Sequence, residues 1–411
     1  MSRNALIVVL TVSVFLTVPR AAVATNAAFQ AFFFNVCANP TGALAARCAE
    51  TTGGLGNISG DSESSLNPSQ TLSSNDGPLS QARMQSKQAR ERGERRRDRA
   101  EEEGGPTAPG RTSLLFNART SSYDSERVVD VDAERSLNGD AWGAEIGFDH
   151  RLGDGAFLGL LVGLEKTDVD FVADNIGTNF TPAASAGELM DDSASLTFFG
   201  SVNMTDSFFF EGSMGYVTSD FEATRNSVFQ ESNRVIPQTN VAALGKTDGD
   251  VTWAGINFGF DMHRNAVAFG PYFGATMSTS TIDAYTESDF NGSGLAMAYG
   301  DIERDSLISH LGFRVSIAKS TGNGVVLPQF RVEYEHESDD PSLVTASYLL
   351  DASATQYALL GDEPDRDQFE AAFGVAWVLP GGWQPFFDVE YLAGNRNLDR
   401  YRIATGFRVE F

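Results

Sequence analysis

The chain has 411 residues, of which 42% are hydrophobic and 30 are Phe, and its formal charge is -25. That much apolar surface excludes a disordered chain, and the acidity speaks against a nucleic-acid partner, which is gripped by basic patches. No window beyond Val18 holds about 18 consecutive apolar residues, so helical membrane spans are excluded too.

Residues 1–24 read as an export signal: Arg3 is the basic start, Ala5 to Val18 the apolar stretch, and Ala22-Val23-Ala24 the cleavage site. Thr25 follows where a lipoprotein would carry Cys. Residues 25–79 are expected to be a short, largely disordered segment. Phe29 and Phe32 to Phe34 open it, and Thr51 to Ser80 contains no aromatic, too little to bury a core alone. Cys37 and Cys48 are expected to form one structural disulfide, since redox catalysis favours the C-x-x-C spacing. Residues 80–105 follow as a helix, with Ser80 to Glu103 favouring helix apart from Gly93 and Gly104-Gly105-Pro106 as its stop.

From residue 111 to Phe411 apolar residues alternate with small or charged ones, the period-2 pattern of strands with one face in lipid. Trp142, Ala144, Ile146 and Phe148 oppose Gly143, Glu145, Gly147 and Asp149. Similar faces begin at Leu196, Phe208, Ala254, Leu307, Val326, Phe369 and Phe387, with weaker ones at Leu114 to Thr120, Phe157 to Asp170 and Val267 to Thr281. The last face, Tyr401 to Phe411, runs to the final residue. Short connections at His150 to Asp154, Thr205-Asp206, His263 to Asn265, Lys319 to Gly324 and Leu379 to Gly382 alternate with long polar ones. The long ones are Asp124 to Asn138, Ala173 to Asp192, Glu222 to Gly249, Asp283 to Asp301 and Glu337 to Arg366. The expectation is an all-β transmembrane antiparallel barrel of about twelve strands, with short turns facing the periplasm and long loops the exterior.

The stretch Leu307-Ile-Ser-His-Leu-Gly-Phe-Arg-Val-Ser-Ile317 is followed by Leu327-Pro-Gln-Phe-Arg-Val-Glu-Tyr-Glu-His-Glu337, preceded by Gly270-Pro271-Tyr272, and completed by the aromatic terminus. Together these resemble the autotransporter β-domain of type V secretion over about Arg111 to Phe411. The resemblance implies a barrel in the Gram-negative outer membrane, surrounded by lipid, with a helix through its lumen and an N-terminal passenger carried outward. It also implies insertion by the outer-membrane barrel assembly machinery, with Phe407, Val409 and Phe411 as the recognised end. The passenger here could only be Thr25 to Leu79, far shorter than the family's long β-helices. Members that cleave themselves commonly use an Asn in the lumenal helix, and Ser80 to Glu103 has none, so no autocleavage by that route is expected.

Catalytic readings are weak. Gly60-Asp61-Ser62 resembles an esterase nucleophile block, yet no His precedes His150 to activate the Ser. Gly245-Lys246-Thr247 resembles the end of a phosphate-binding loop, but Asn240 stands where the first Gly is required. His310 points inward and His336 sits at an outer strand end, with no Ser placed beside either. Asp339, Asp340, Asp362 and Asp365 are read as a solvated acidic rim. No enzyme, cofactor or metal site is expected; a loop-based outer-membrane adhesin or structural barrel is the alternative function, with a barrel hydrolase ranked third.

Strand parity puts Glu145, Asp149, Glu333, Glu335, Glu370, Asp388 and Glu390 on the lumen wall. Glu165, Glu211, Asp261 and Glu410 join them, against Arg314, Arg331, Arg400, Arg402 and Arg408. The helix carries Arg83, Lys87, Arg90, Arg92, Arg95, Arg96, Arg97 and Arg99, opposed before its acidic end by Glu91, Glu94 and Asp98. Opposite charges in a narrow lumen attract strongly, so the helix is expected to plug the pore.

Overall fold

Twelve long strands follow one another because each offers an apolar outer face and an inner face of small or polar residues. The computed structural model describes residues 25–102, 112–127, 134–153, 155–176, 180–230, 238–338, 341–363 and 365–411; the expected export signal therefore lies outside the described residues. The strands are β1 (Thr112–Ser125), β2 (Leu137–Gly153), β3 (Ala156–Phe171), β4 (Gly187–Asn203), β5 (Phe208–Phe229) and β6 (Thr239–Phe260). They continue as β7 (Val267–Ile282), β8 (Ile302–Ile317), β9 (Gly324–Glu337), β10 (Asp367–Val378), β11 (Trp383–Ala393) and β12 (Leu398–Glu410). Each pairs antiparallel with its neighbours, and β1 pairs with β12 from Ser113↔Glu410 to Ser125↔Leu398, which closes the barrel and removes its edges.

The outer face is the apolar one. Ile146, Phe198, Met214, Leu311 and Phe373 are all more than half exposed, as lipid-facing residues of a barrel must be. Aromatic side chains mark both borders of this belt: Trp142, Tyr216, Tyr391 and Tyr401 towards the long loops, Trp377, Trp383 and Phe407 towards the short turns. Phe407, Val409 and Phe411 lie on this outer face, and Phe411 exchanges backbone hydrogen bonds with Thr112.

At the long-loop end two expectations need correction. Glu222 to Gly249 is mostly paired strand: β5 and β6 stay in register out to Phe229↔Thr239, so the connection shrinks to 230–238, and Gly245-Lys246-Thr247 lies on β6. The polar residues there lie on strands that project beyond the lipid belt, where the rule of an apolar outer face no longer applies. The described parts of two other long loops, after β7 and after β9, are also structured. Tyr285–Thr286, Met297–Tyr299, Leu343–Tyr348 and Tyr357–Leu360 form a four-stranded sheet of their own.

The N-terminal segment is likewise ordered rather than disordered. It forms α1 (Thr25–Val36), α2 (Gly42–Glu50), α3 (Gly60–Leu66) and a 3-10 turn (Ser69–Asn75) that leads into α4 (Asp76–Glu102). The segment cannot bury its apolar residues on itself, as composition indicates, but the exterior loops supply the other half of a core. Phe29, Phe32, Phe33, Val36 and Leu44 are buried with Phe229, Leu295, Met297, Tyr348 and Tyr357. Phe32 stacks on Tyr348 and Tyr357 at centroid distances of 5.6 and 5.0 Å. The Gly/Ser/Asn/Asp run enters this cap too. Ser59 caps α3 by accepting from the Ser62 N–H, while the Ser62 hydroxyl donates to the Gln230 carbonyl at 2.8 Å. Gly294 shows how closely loop and helix meet: its φ of 81° suits Gly alone, and a Cβ there would lie 2.5 Å from the Leu44 backbone nitrogen.

Candidate functional site

α4 runs through the barrel, and its geometry follows from small residues meeting on both sides. Ala82 is fully buried beside Leu79, Val217, Val251 and Trp253. A Cβ on Gly255 of β6 would lie 2.9 Å from the Ser86 hydroxyl, so Gly255 is what lets the helix approach that wall. Gln85 accepts from Thr197 at 3.1 Å and from the Trp253 indole at 3.3 Å, and Ser86 shares a 2.8 Å hydrogen bond with Thr276.

Charge pairing holds the rest. Arg83 contacts Glu337 at 2.6 Å. Lys87 lies 3.0 Å from Glu335 and 3.8 Å from Glu333, and it also contacts Glu370. Arg90 grips Glu333 through two 3.0 Å hydrogen bonds, the bidentate fork that a guanidinium makes with a carboxylate, and lies over the Tyr272 ring. Arg92 reaches Glu145 at 2.6 Å. The helix acid Glu91 is taken up by Arg331 at 2.5 Å and Arg402 at 3.3 Å, and both of those arginines also bind Glu390.

The sequence-predicted residues thus divide into three groups. Glu145, Glu333, Glu335 and Glu370 meet the helix directly, together with Arg83, Lys87 and Arg90. Asp149, Asp388 and Glu390 face inward but bind within the wall or beside it: Asp149 pairs with Arg408 at 3.0 Å, and Asp388 borders a small space next to Glu91 and Arg331. The side chains of Arg95, Arg96, Arg97 and Arg99 lie outside the described residues. Cys37 and Cys48 are bonded in the cap, with Cα atoms 5.4 Å apart.

Sequence reasoning missed Arg119. It stands on β1 with its guanidinium 2.6 Å from both Glu145 and Glu165, and so joins the helix to two strands through Glu145. The parity of Leu115 and Asn117 was the available signal, but Leu114 to Thr120 is too weakly alternating to fix it. A second missed pair, Arg225 with Glu287 at 2.6 Å, lies above the membrane and locks β5 to the loop sheet.

Glu333, Glu335 and Glu370 bring carboxylate oxygens close enough together to hold a metal ion, but the Lys87 ammonium already supplies the positive charge among them. His310 is buried with its Nε2 3.1 Å from the Asn257 side chain, and His336 contacts Asp367 at 2.8 Å near the exterior rim. Neither has a serine hydroxyl as a hydrogen-bond partner among the described contacts.

Comparison with known proteins agrees with this architecture. Residues 118–390 match the family described as the autotransporter beta-domain. No curated protein sequence matches the chain. Among solved structures, the translocator domain of the autotransporter NalP from Neisseria meningitidis is similar with a TM-score of 0.54 at 14% identity, covering 80% of this chain and 98% of that one. The transport unit of AIDA-I from Escherichia coli gives 0.47 at 14% identity, covering 73% and 90%. The β-domain of the Bordetella autotransporter BrkA gives 0.47 at 15%, covering 72% and 99%. The family match covers most of the barrel and the closed twelve-stranded fold accompanies it: this chain belongs to the autotransporter β-domain family and is an outer-membrane translocator barrel.

Proposed function

We propose that this barrel displays its own short N-terminal segment at the cell surface, as a cap docked on the exterior loops, while α4 plugs the lumen. The observation that carries the reading is the shared core: Phe29, Phe32 and Phe33 of the segment are buried against Tyr348, Tyr357 and Phe229 of the barrel loops. A released passenger would leave these rings and their partners in water, at a cost of about 1.5–3 kcal/mol for each large side chain. In this reading residues 1–24 direct export, the assembly machinery engages Phe407, Val409 and Phe411, and the surrounding partner is outer-membrane lipid. No catalytic step is assigned to the chain.

An epitope placed between Gly54 and Leu55, in the exposed turn that follows α2, tests the display. Protease added to intact cells is expected to remove it, as it removes an epitope beside the exposed Phe290. Protection of the first while the second is cut would show that the segment does not reach the surface, and the loops alone would then be the functional face.

A further inference from the structure

Between the cap and the start of α4 lies a cavity of about 170 Å³. Its lining includes Ser73 and Ser74 of the 3-10 turn, Leu79 and Arg83 of α4, and Val169, Leu189 and Phe221 of β3, β4 and β5. The lining holds four arginines and five carboxylates. Four of those acids sit against arginine: Glu337 against Arg83, Glu134 and Asp362 against Arg127, and Asp365 against Arg396. The fifth, Asp191, is only 4% exposed and has no ion pair among the described residues. The Ser219 hydroxyl is its polar neighbour on the adjacent strand, and Oδ1 makes no hydrogen bond of ordinary geometry among the described residues. Its Oδ2 faces the helix start, where a Cβ added to Gly77 would lie 3.6 Å away.

A buried carboxylate without a counter-charge is costly, and a cationic group beside it removes the cost. The flanking wall is apolar, and the space exceeds the roughly 150 Å³ that admits a benzene ring in an engineered cavity. An ammonium brings three donors, and the Ser73 and Ser74 hydroxyls line the same space as Asp191. We propose that this cavity is a binding site for a small organic cation: a protonated amine set against Asp191, with a compact hydrocarbon body against Val169, Leu189 and Phe221. The site goes beyond display of the N-terminal segment, because its ligand is a small molecule and not a surface partner.

Cyclohexylammonium is the probe, titrated calorimetrically into the full mature chain refolded in detergent, with cyclohexanol as the uncharged control. Saturable binding is expected, at least tenfold tighter for the ammonium than for the alcohol. Asp191→Asn keeps the shape and removes the charge, and is expected to abolish that preference while the barrel still shows its heat-modifiable gel shift. Leu189→Phe fills the cavity without touching the charge and is expected to lose binding of the ammonium. Equal affinity for alcohol and ammonium, or undiminished ammonium binding by either folded variant, would overturn the assignment.

Discussion

Lys87 is the residue on which the lumen turns. Its ammonium sits among Glu333, Glu335 and Glu370, with both partners of every contact almost wholly buried. Removing one side of a buried ion pair leaves the other side charged and unpaired, which costs about 3–5 kcal/mol. Lys87→Ala is therefore expected to lower the melting temperature of the refolded barrel. The three carboxylates would then present hard oxygen donors to a divalent cation. Millimolar Ca²⁺ is expected to raise the melting temperature of Lys87→Ala and to leave the wild type unchanged. A variant that melts like the wild type would show that Lys87 carries no stability, and an equal response of both proteins to Ca²⁺ would place the ion elsewhere.

The elements of the barrel were legible because lipid enforces a period of two on every spanning strand, and parity then sends Glu333, Glu335 and Glu370 inward together. The cap was not legible, because its core is assembled from Phe32 and from Tyr348 and Tyr357, some 300 residues away, and neither half shows a pattern alone. That core holds three buried phenols, Tyr299, Tyr348 and Tyr357, with the half-buried Tyr285 packed against them. Burial pushes each of them above the ordinary tyrosine value, with Glu287 adding to the rise at Tyr285 and Tyr299. A raised pKa in the folded cap means that stability is complete while the phenols are neutral in both states. It falls once pH passes the unfolded value of about 10, because only the opened cap can then ionise freely. The cap is expected to open above about pH 10 as one unit, with phenolate absorbance and protease sensitivity in α1, at the buried Phe32 and Phe33, rising together. Stepwise ionisation with no gain in protease sensitivity would show that these tyrosines are not linked to docking.

On the scale of the whole molecule, the charge of -25 has to reside somewhere, and the lumen is not the main place. The lumenal acids are largely matched by Arg83, Lys87, Arg90, Arg92, Arg119, Arg400 and Arg402. Part of the excess stands on the outer face near the exterior end of the strands. Asp192 lies directly opposite Asp220, and Asp220 directly opposite Asp248, whose carbonyl accepts the Asp283 N–H. All four side chains are exposed, so the register aligns a row of like charges across three consecutive strands, β4 to β6, and the residue that follows β7. Sequence alone shows the aspartates but not their alignment, because a register is set by pairing and not by spacing. Directly opposed like charges destabilise a sheet by about 0.2–1 kcal/mol per pair, and about 1 M salt shrinks the screening length to roughly 3 Å. Asp220→Asn removes the central charge while keeping the side chain's size, and so relieves two opposed pairs at once. It is expected to raise the melting temperature of the barrel in low-salt buffer by an amount that largely disappears in 1 M NaCl. A gain of the same size at both salt concentrations would mean that the substitution acts through packing and not through charge. A loss at low salt would mean that the aspartate row supports the rim.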